Sequence, residues 1–338
     1  MTRTRTARLT GDRLDAAAAF LWTSGRVLEQ RRFAHLFGRD SNSGGKPVSG
    51  PGGDLGSSPT DDTGAGTAGV LAALDAHRTA DGGYAYGLEP DVRGPAAQPI
   101  AVPGALLVLE EIGALDAARA RAVCDWLAGV AGPDGGVPVV LPSLRPYPHP
   151  PFVPVPEEGE PPVGALLSTG QIVAPLLRRG IDHPWLTAAT AFCRTAVENL
   201  RETHPYEAGA AIRFLDAAPD TAWARQQAAR LGALVREQRI VLLDPARPED
   251  ARISPGYAPG EHHLPHGYAR RPDSLARRWF TAAELARGLD HLAAEQQPDG
   301  GWPIHWVRWS ASTEAEARPG VTLQALLTLR AYDTPGGA

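Results

Sequence analysis

Apolar residues recur every three to four positions along most of the chain, and almost nowhere in the strict alternation of a strand. This period predicts a helix over 12–37, with Leu14, Phe20, Leu21, Leu28, Phe33 and Leu36 as its apolar positions, and further helices over 66–77, 98–112 and 116–131. Others follow over 168–179, 184–200, 206–217, 219–237, 281–296 and 321–332, ten helices in all. Pro99, Pro103 and Pro184 fall in or near first turns, where a missing N–H does least harm. Asp116 and the pair Thr281-x-x-Glu284 read as N-terminal caps. Short turns at 113–115, 180–183 and Ala218 alternate with long, proline-rich loops at 84–97, 137–167, 238–280 and 302–320. Alternating short and long connections predict helical hairpins stacked side by side, so the expected fold is all-α, an α/α toroid of five to six hairpins. The pattern is weakest over 237–281, where the scheme requires an inner helix and the sequence is irregular.

One frame recurs three times on this background: Leu292-x3-Gln296-x3-Gly300-x-Trp302, Leu74-x3-Arg78-x3-Gly82-x-Tyr84 and Leu127-x3-Ala131-x3-Gly135-x-Val137, each with an Asp-Gly-Gly. Its aspartates, Asp81, Asp134 and Asp299, are spaced by one and then three steps of about 55 residues, as a repeat architecture requires. In each copy the paired glycines are expected to take positive φ and stop the helix, and the large residue two places on to pack over its end. In the third copy, the Gln296 amide is placed to bond the freed backbone under Trp302.

Composition narrows the class. The net charge of −5 offers nothing to nucleic acid or an anionic membrane surface. Two cysteines, Cys124 and Cys193, are too few for a disulfide framework and suit a reducing compartment; Cys193 reads as a core residue. No apolar run follows the charged N-terminus, and none reaches the ~20 residues of a membrane helix. The expectation is a cytoplasmic protein without transmembrane segments, one toroid domain over 1–338, with a disordered Gly/Ser/Pro/Asp insertion at 41–66. Oligomeric state is not encoded in any pattern visible here.

In a toroid of hairpins the long loops leave at one end, the mouth of the central cavity, and here they hold the unusual residues. Loop 84–97 packs Glu89, Asp91 and Arg93 within five positions, with Gln98 opening the next helix. Pro90 favours an extended backbone, which would point both acids the same way and split their pKa values by like-charge repulsion. A carboxyl so raised at an apolar mouth is a general acid able to protonate an alkene or an epoxide; the plainer role is a salt bridge to Arg93 or a helix cap. His305, Trp306 and Trp309 supply aromatic faces for a cation or a polyene, with Glu316 and Arg318 closing the rim. His262, His263 and His266 invite a metal reading, but Pro265 breaks any helical presentation, so the stretch reads as an exposed polar loop and no metal or other cofactor is expected. Arg270-Arg271 and Arg277-Arg278 could grip a diphosphate or simply face solvent. His204, Tyr206 and Glu207 are further cavity candidates.

The Leu-x3-Gln-x3-Gly-x-Trp frame resembles the QW repeat of squalene–hopene cyclases, and the wider pattern resembles the terpenoid cyclase and protein prenyltransferase toroid superfamily. ADGGYAYGLEPDVRGPAAQP, FLDAAPD and QQPDGGWPIHW, with Glu316 and TLQALLTLRAY, look like small actinobacterial proteins labelled prenyltransferase-like. The likeness spans roughly 26–332. It implies a prenyltransferase-like or terpene cyclase-like enzyme and a small apolar, isoprenoid-like ligand. The sequence departs from the superfamily where its chemistry lies: Asp-x-Asp-Asp and Asp-Asp-x-x-Asp are both missing, Asp61-Asp62 lacks a third carboxylate, and no Asp, Cys and His set is spaced for zinc. What remains is acid-initiated, metal-independent chemistry on an apolar substrate, with Glu89 and Asp91 catalytic. The alternatives are a non-catalytic ligand-binding or scaffold toroid, whose centre would be filled in the scaffold case, and a carbohydrate-active α/α barrel pairing Glu89 with Glu316.

Overall fold

A computed structural model describes residues 7–38 and 62–334, with backbone only for 62–65. Twelve α-helices lie among the described residues: α1 Gly11–Ser24, α2 Val27–Phe37, α3 Asp62–Asp75, α4 Val102–Glu111, α5 Ala117–Val130, α6 Leu166–Arg178, α7 Pro184–Asn199, α8 Pro205–Ala217, α9 Thr221–Glu237, α10 Pro265–Tyr268, α11 Ala282–Ala294 and α12 Ala311–Asp333. They form six successive pairs. Even-numbered members α4, α6, α8 and α12 face a central lumen, and no odd-numbered helix reaches it. The ring closes where α12 packs on both α1 and α2. This is the expected all-α toroid with six hairpins.

Four boundaries differ from the sequence expectation. The helix expected over 12–37 is two, because Gly25 and Arg26 are extended (ψ 147° and 164°) and turn the chain back on itself. A Cβ at Gly25 would stand 2.6 Å from the Leu21 carbonyl oxygen, so this close return needs glycine. The last helix starts ten residues early, carried through Pro319 by the buried face Thr313, Ala317, Pro319 and Thr322. The inner helix of the fifth pair is the single turn α10. The insertion expected at 41–66 lies mostly outside the described residues; its last residues, from Asp62, are the start of α3.

The three Asp-Gly-Gly copies share one geometry. Only the first glycine takes positive φ, 97° at Gly82, 85° at Gly135 and 91° at Gly300, rather than both. The aspartate caps the second glycine's N–H, at 3.2 Å in Asp81, 3.1 Å in Asp134 and 3.0 Å in Asp299. The second glycine is needed for contact instead: a Cβ on Gly83, Gly136 or Gly301 would run into the ring of Trp126, Phe192 or Phe20. Each copy therefore docks on the next outer helix, α3 on α5, α5 on α7 and α11 on α1. Tyr84, Val137 and Trp302 return into the core as expected. Trp302 Nε1 donates to the Leu292 carbonyl at 2.7 Å, and the Gln296 amide bonds the carbonyls of Gly300 and Arg13 at 2.9 Å.

Candidate active site

Long connections run from α3 to α4, α5 to α6, α9 to α10 and α11 to α12, so they gather at the N-terminal ends of the inner helices. Beneath them lies a cavity of about 1920 Å³, with Leu107, Val139, Val153, Leu167, Pro175 and Leu327 among its apolar walls. The centre is hollow, unlike that of a filled-core scaffold.

Glu89 and Asp91 both border this cavity. Their backbone is a turn rather than extended: the Val92 N–H bonds the Glu89 carbonyl at 3.1 Å, placing Pro90 at the second turn position, where its fixed φ fits. Arg26 holds the loop from below. It donates to the Gly87 carbonyl at 2.6 Å and pairs with the buried Glu29 at 2.7 Å. Loss of water around Glu89, reinforced by the charge of Asp91, pushes its carboxyl up to about 7. Burial also raises Asp91, against the Trp309 indole N–H at 2.7 Å, Arg93 and the Thr313 hydroxyl, which favour the carboxylate. The environments are thus unequal, and Glu89 is the member that keeps a proton near neutrality. Trp309→Phe deletes the indole donor; the expected result is a higher Asp91 pKa with the fold retained, followed by carboxyl NMR titration.

The other expected site residues are distributed around this pair. Trp306 borders the lumen, its indole N–H unpartnered among the described residues. Trp309 stands behind Asp91 as its donor. Arg93 and Glu316 pair with each other at 2.7 Å and are not part of the cavity lining. His305 pairs with Glu295 at 2.8 Å, which raises its pKa. Gln98 is buried and braces the neighbouring loop, donating to Ser143 Oγ at 2.9 Å and accepting from the Leu141 N–H at 2.8 Å. Arg318 grips Asp299 rather than Glu316, with two bonds of 2.8 Å.

Facing the acids is a polar wall from the starts of α8 and the 238–264 loop. The Tyr206 hydroxyl donates to Glu261 at 2.6 Å, and His204 Nδ1 meets the Tyr257 hydroxyl at 2.8 Å. Asp91 lies near enough for its charge to help keep the Tyr206 hydroxyl protonated. The stretch around Glu261 is not an exposed polar loop: Glu261 is buried, and His263 packs edge-on against Tyr206 at 4.8 Å between ring centroids. Burial first, then Arg270 and other nearby cations, drive His263 down to about 3. The loop folds back over the end of α8, with the Leu242 N–H bonding the His263 carbonyl at 2.8 Å, which buries what its polar composition suggested was outside. Among the described residues no three His, Cys, Asp or Glu side chains are grouped as metal ligands.

Two residues that sequence reasoning missed or left open also line the lumen. Arg213 sits inside the otherwise apolar run AAIRFL of α8, and that intrusion was its only signal. Arg270 follows α10 and also borders the cavity.

No family model matches the chain, and no curated protein does. Solved structures do match. Type II terpene cyclase MstE from Scytonema, a variant in complex with geranylgeranyl dihydroxybenzoate, superposes with a TM-score of 0.53 at 15% identity over 96% of this chain and 97% of that one. Another variant of MstE, in complex with merosterolic acid A, gives 0.51 at 14% identity over 95% and 96%. A protein from Actinoplanes gives 0.50 at 16% identity over 95% and 89%. The chain has the fold of a type II terpene cyclase. That terpene cyclase fold accounts for the closed ring and the long loops at one end, and at these identities it leaves the chemistry to the residues. No helix among the described residues is long and apolar enough to cross a membrane.

Proposed function

We infer that the chain works as a single toroid enzyme of prenyltransferase-like or terpene cyclase-like character, acting on an isoprenoid or similarly apolar substrate without a metal. The supporting observation is a carboxyl raised to about 7, Glu89, beside a second acid at the end of a large apolar cavity. The ligand carried by the MstE neighbour, geranylgeranyl dihydroxybenzoate, is in keeping with such a cavity. A donor of this strength is well populated near neutral pH but only weakly acidic. It therefore suits an oxygen acceptor, such as an epoxide, better than an unactivated double bond. In this reading Glu89 gives its proton to the substrate oxygen as the carbon–oxygen bond opens. Asp91 remains ionised, and the faces of Trp306 and Tyr206 stabilise the carbocation that forms.

A carrier that holds the same ligand unchanged fits the cavity too, and turnover separates the two. The carbohydrate reading needs Glu316 as a partner for Glu89, and Glu316 is engaged by Arg93. The test is native mass spectrometry of the purified protein, followed by incubation with an epoxidised polyprenyl substrate. A bound lipid and a cyclised or ring-opened product are expected; recovery of the substrate unchanged would leave only the carrier.

A further inference from the structure

The cavity has a second chemical feature that acid catalysis at Glu89 does not use. Arg213 and Arg270 both border the lumen, and neither has a carboxylate partner among the described residues. Of the other lumen arginines, Arg252 also lacks a carboxylate partner among the described residues but lies exposed on the loop between α9 and α10, and the remaining three are engaged. Arg178 grips Glu110 with bonds of 2.9 and 2.8 Å, Arg271 pairs with Asp273 at 3.1 Å, and Arg330 bonds the Leu36 carbonyl and stacks over Phe37. Arg213 instead has the Gln171 amide oxygen, and Arg270 has the Gln324 amide oxygen at 3.4 Å. A guanidinium carries five N–H donors, so one neutral acceptor apiece leaves most of them unfilled.

Two cations with no carboxylate paired to them are costly in a largely apolar chamber. Arg213 feels the charge of Arg270, and burial works against the charge of both. Glutamine where glutamate would neutralise them keeps the positive charge available. Arg270 is exposed and borders the lumen. Arg213 lies two turns along α8 from Tyr206, about 10 Å deeper than the Glu89 end at 1.5 Å per residue.

We propose that Arg213 and Arg270 form an oxyanion-binding subsite inside the cavity, which takes the carboxylate or phosphate head of an amphiphilic substrate and leaves its apolar body along the lumen toward Glu89 and Asp91. This rests on, and sharpens, the apolar-substrate reading: the ligand is an anionic amphiphile. Its head supplies the charge that the protein withholds, as charge-assisted bidentate bonds to guanidinium allow.

The test compares geranylgeranoic acid, geranylgeranyl phosphate and geranylgeraniol, which share one chain and differ in the head, by calorimetric titration of the full-length protein. Inorganic phosphate, followed by melting temperature, probes the arginines without a tail. The anionic lipids are expected to bind about 100-fold more tightly than the alcohol. That preference should vanish in Arg213→Met and Arg270→Met and survive in part in Arg213→Lys, while alcohol binding stays unchanged. Which of the acid and the phosphate binds more tightly identifies the head. The two Met variants should melt at or above the wild-type temperature, because an unpaired charge has been removed. If neither acid nor alcohol binds and phosphate still stabilises only the wild type, the apolar-substrate reading falls and the anion subsite stands. Equal affinity for acid and alcohol with no phosphate effect overturns the subsite. So does a lower melting temperature in the Met variants with the preference intact.

Discussion

Glu89→Gln is expected to lower turnover by about 10³-fold while leaving the melting temperature equal or higher, since a general acid contributes on the order of 10²–10⁴ and a neutral amide relieves burial of a charge. The reason lies in the site: enclosure and the Asp91 charge make the protonated Glu89 carboxyl the favoured form up to about 7. In the proposed reaction the active species is the acid, so wild-type activity should hold below that pH and fall as pH rises through it. Asp91→Asn removes the neighbouring charge, lets the Glu89 pKa fall, and moves this limb to lower pH. Stability carries the same signature. Folded Glu89 holds its proton more tightly than the unfolded side chain, so its contribution is complete below about 4.5 and is lost as pH climbs toward 7. The ceiling of that loss is about 3 kcal/mol by linkage. Urea midpoints of the wild type and of Glu89→Gln, compared from about pH 5 to 8, measure it. Parallel curves would mean that Glu89 is ionised throughout and is not the proton donor.

The second large effect concerns the ring rather than the chemistry. Gly300→Ala should destabilise the protein by about 3 kcal/mol or more, the range for a strained left-handed residue combined with overpacking. Gly300 has φ 91°, and an added Cβ would lie 2.5 Å from the Ala16 carbonyl carbon of α1. The clash cannot relax without moving the outer helix on which the turn docks. Gly209→Ala is the matched control: it lies in α8 with nothing within 4 Å of an added Cβ. It should gain about 0.5–1 kcal/mol from reduced unfolded-state freedom. Denaturant midpoints of the two variants compare a glycine required by geometry with one that is not.

The toroid was legible in the sequence because two independent periods agreed: the helical stripe and the Asp-Gly-Gly spacing. Helix ends were less legible where tertiary packing outweighs local signals. Pro319 and Gly320 read as breakers, yet α12 passes through both because its buried face continues on either side of them. At Gly25 the reverse holds: an unbroken apolar stripe hides a reversal made by one glycine. In the site, the acids and Trp306 could be placed at the lumen from loop position alone. The roles of Trp309, Gln98 and Glu316 could not, because each is settled by a partner that only the folded loops bring close. Arg213 was hidden for a different reason. On an inner helix the lumen side is a functional surface, so a charge in an apolar run marks a ligand position there rather than an interruption of the core.

The docking of the third Asp-Gly-Gly on α1 fixes when the ring can be completed. Ala17, Phe20 and Leu21 of α1 share their core with Phe33 of α2 and, from the far end of the ring, with Leu292, Trp302, Leu323 and Leu326. A nascent toroid therefore has the apolar face of α1 only partly covered, by α2, until its last hairpin has been made. Such late, long-range closure is slow and exposes the chain to aggregation. The latch is mutual: loss of the last hairpin would unclasp the first helix as well, so the two ends of the toroid are made and lost together.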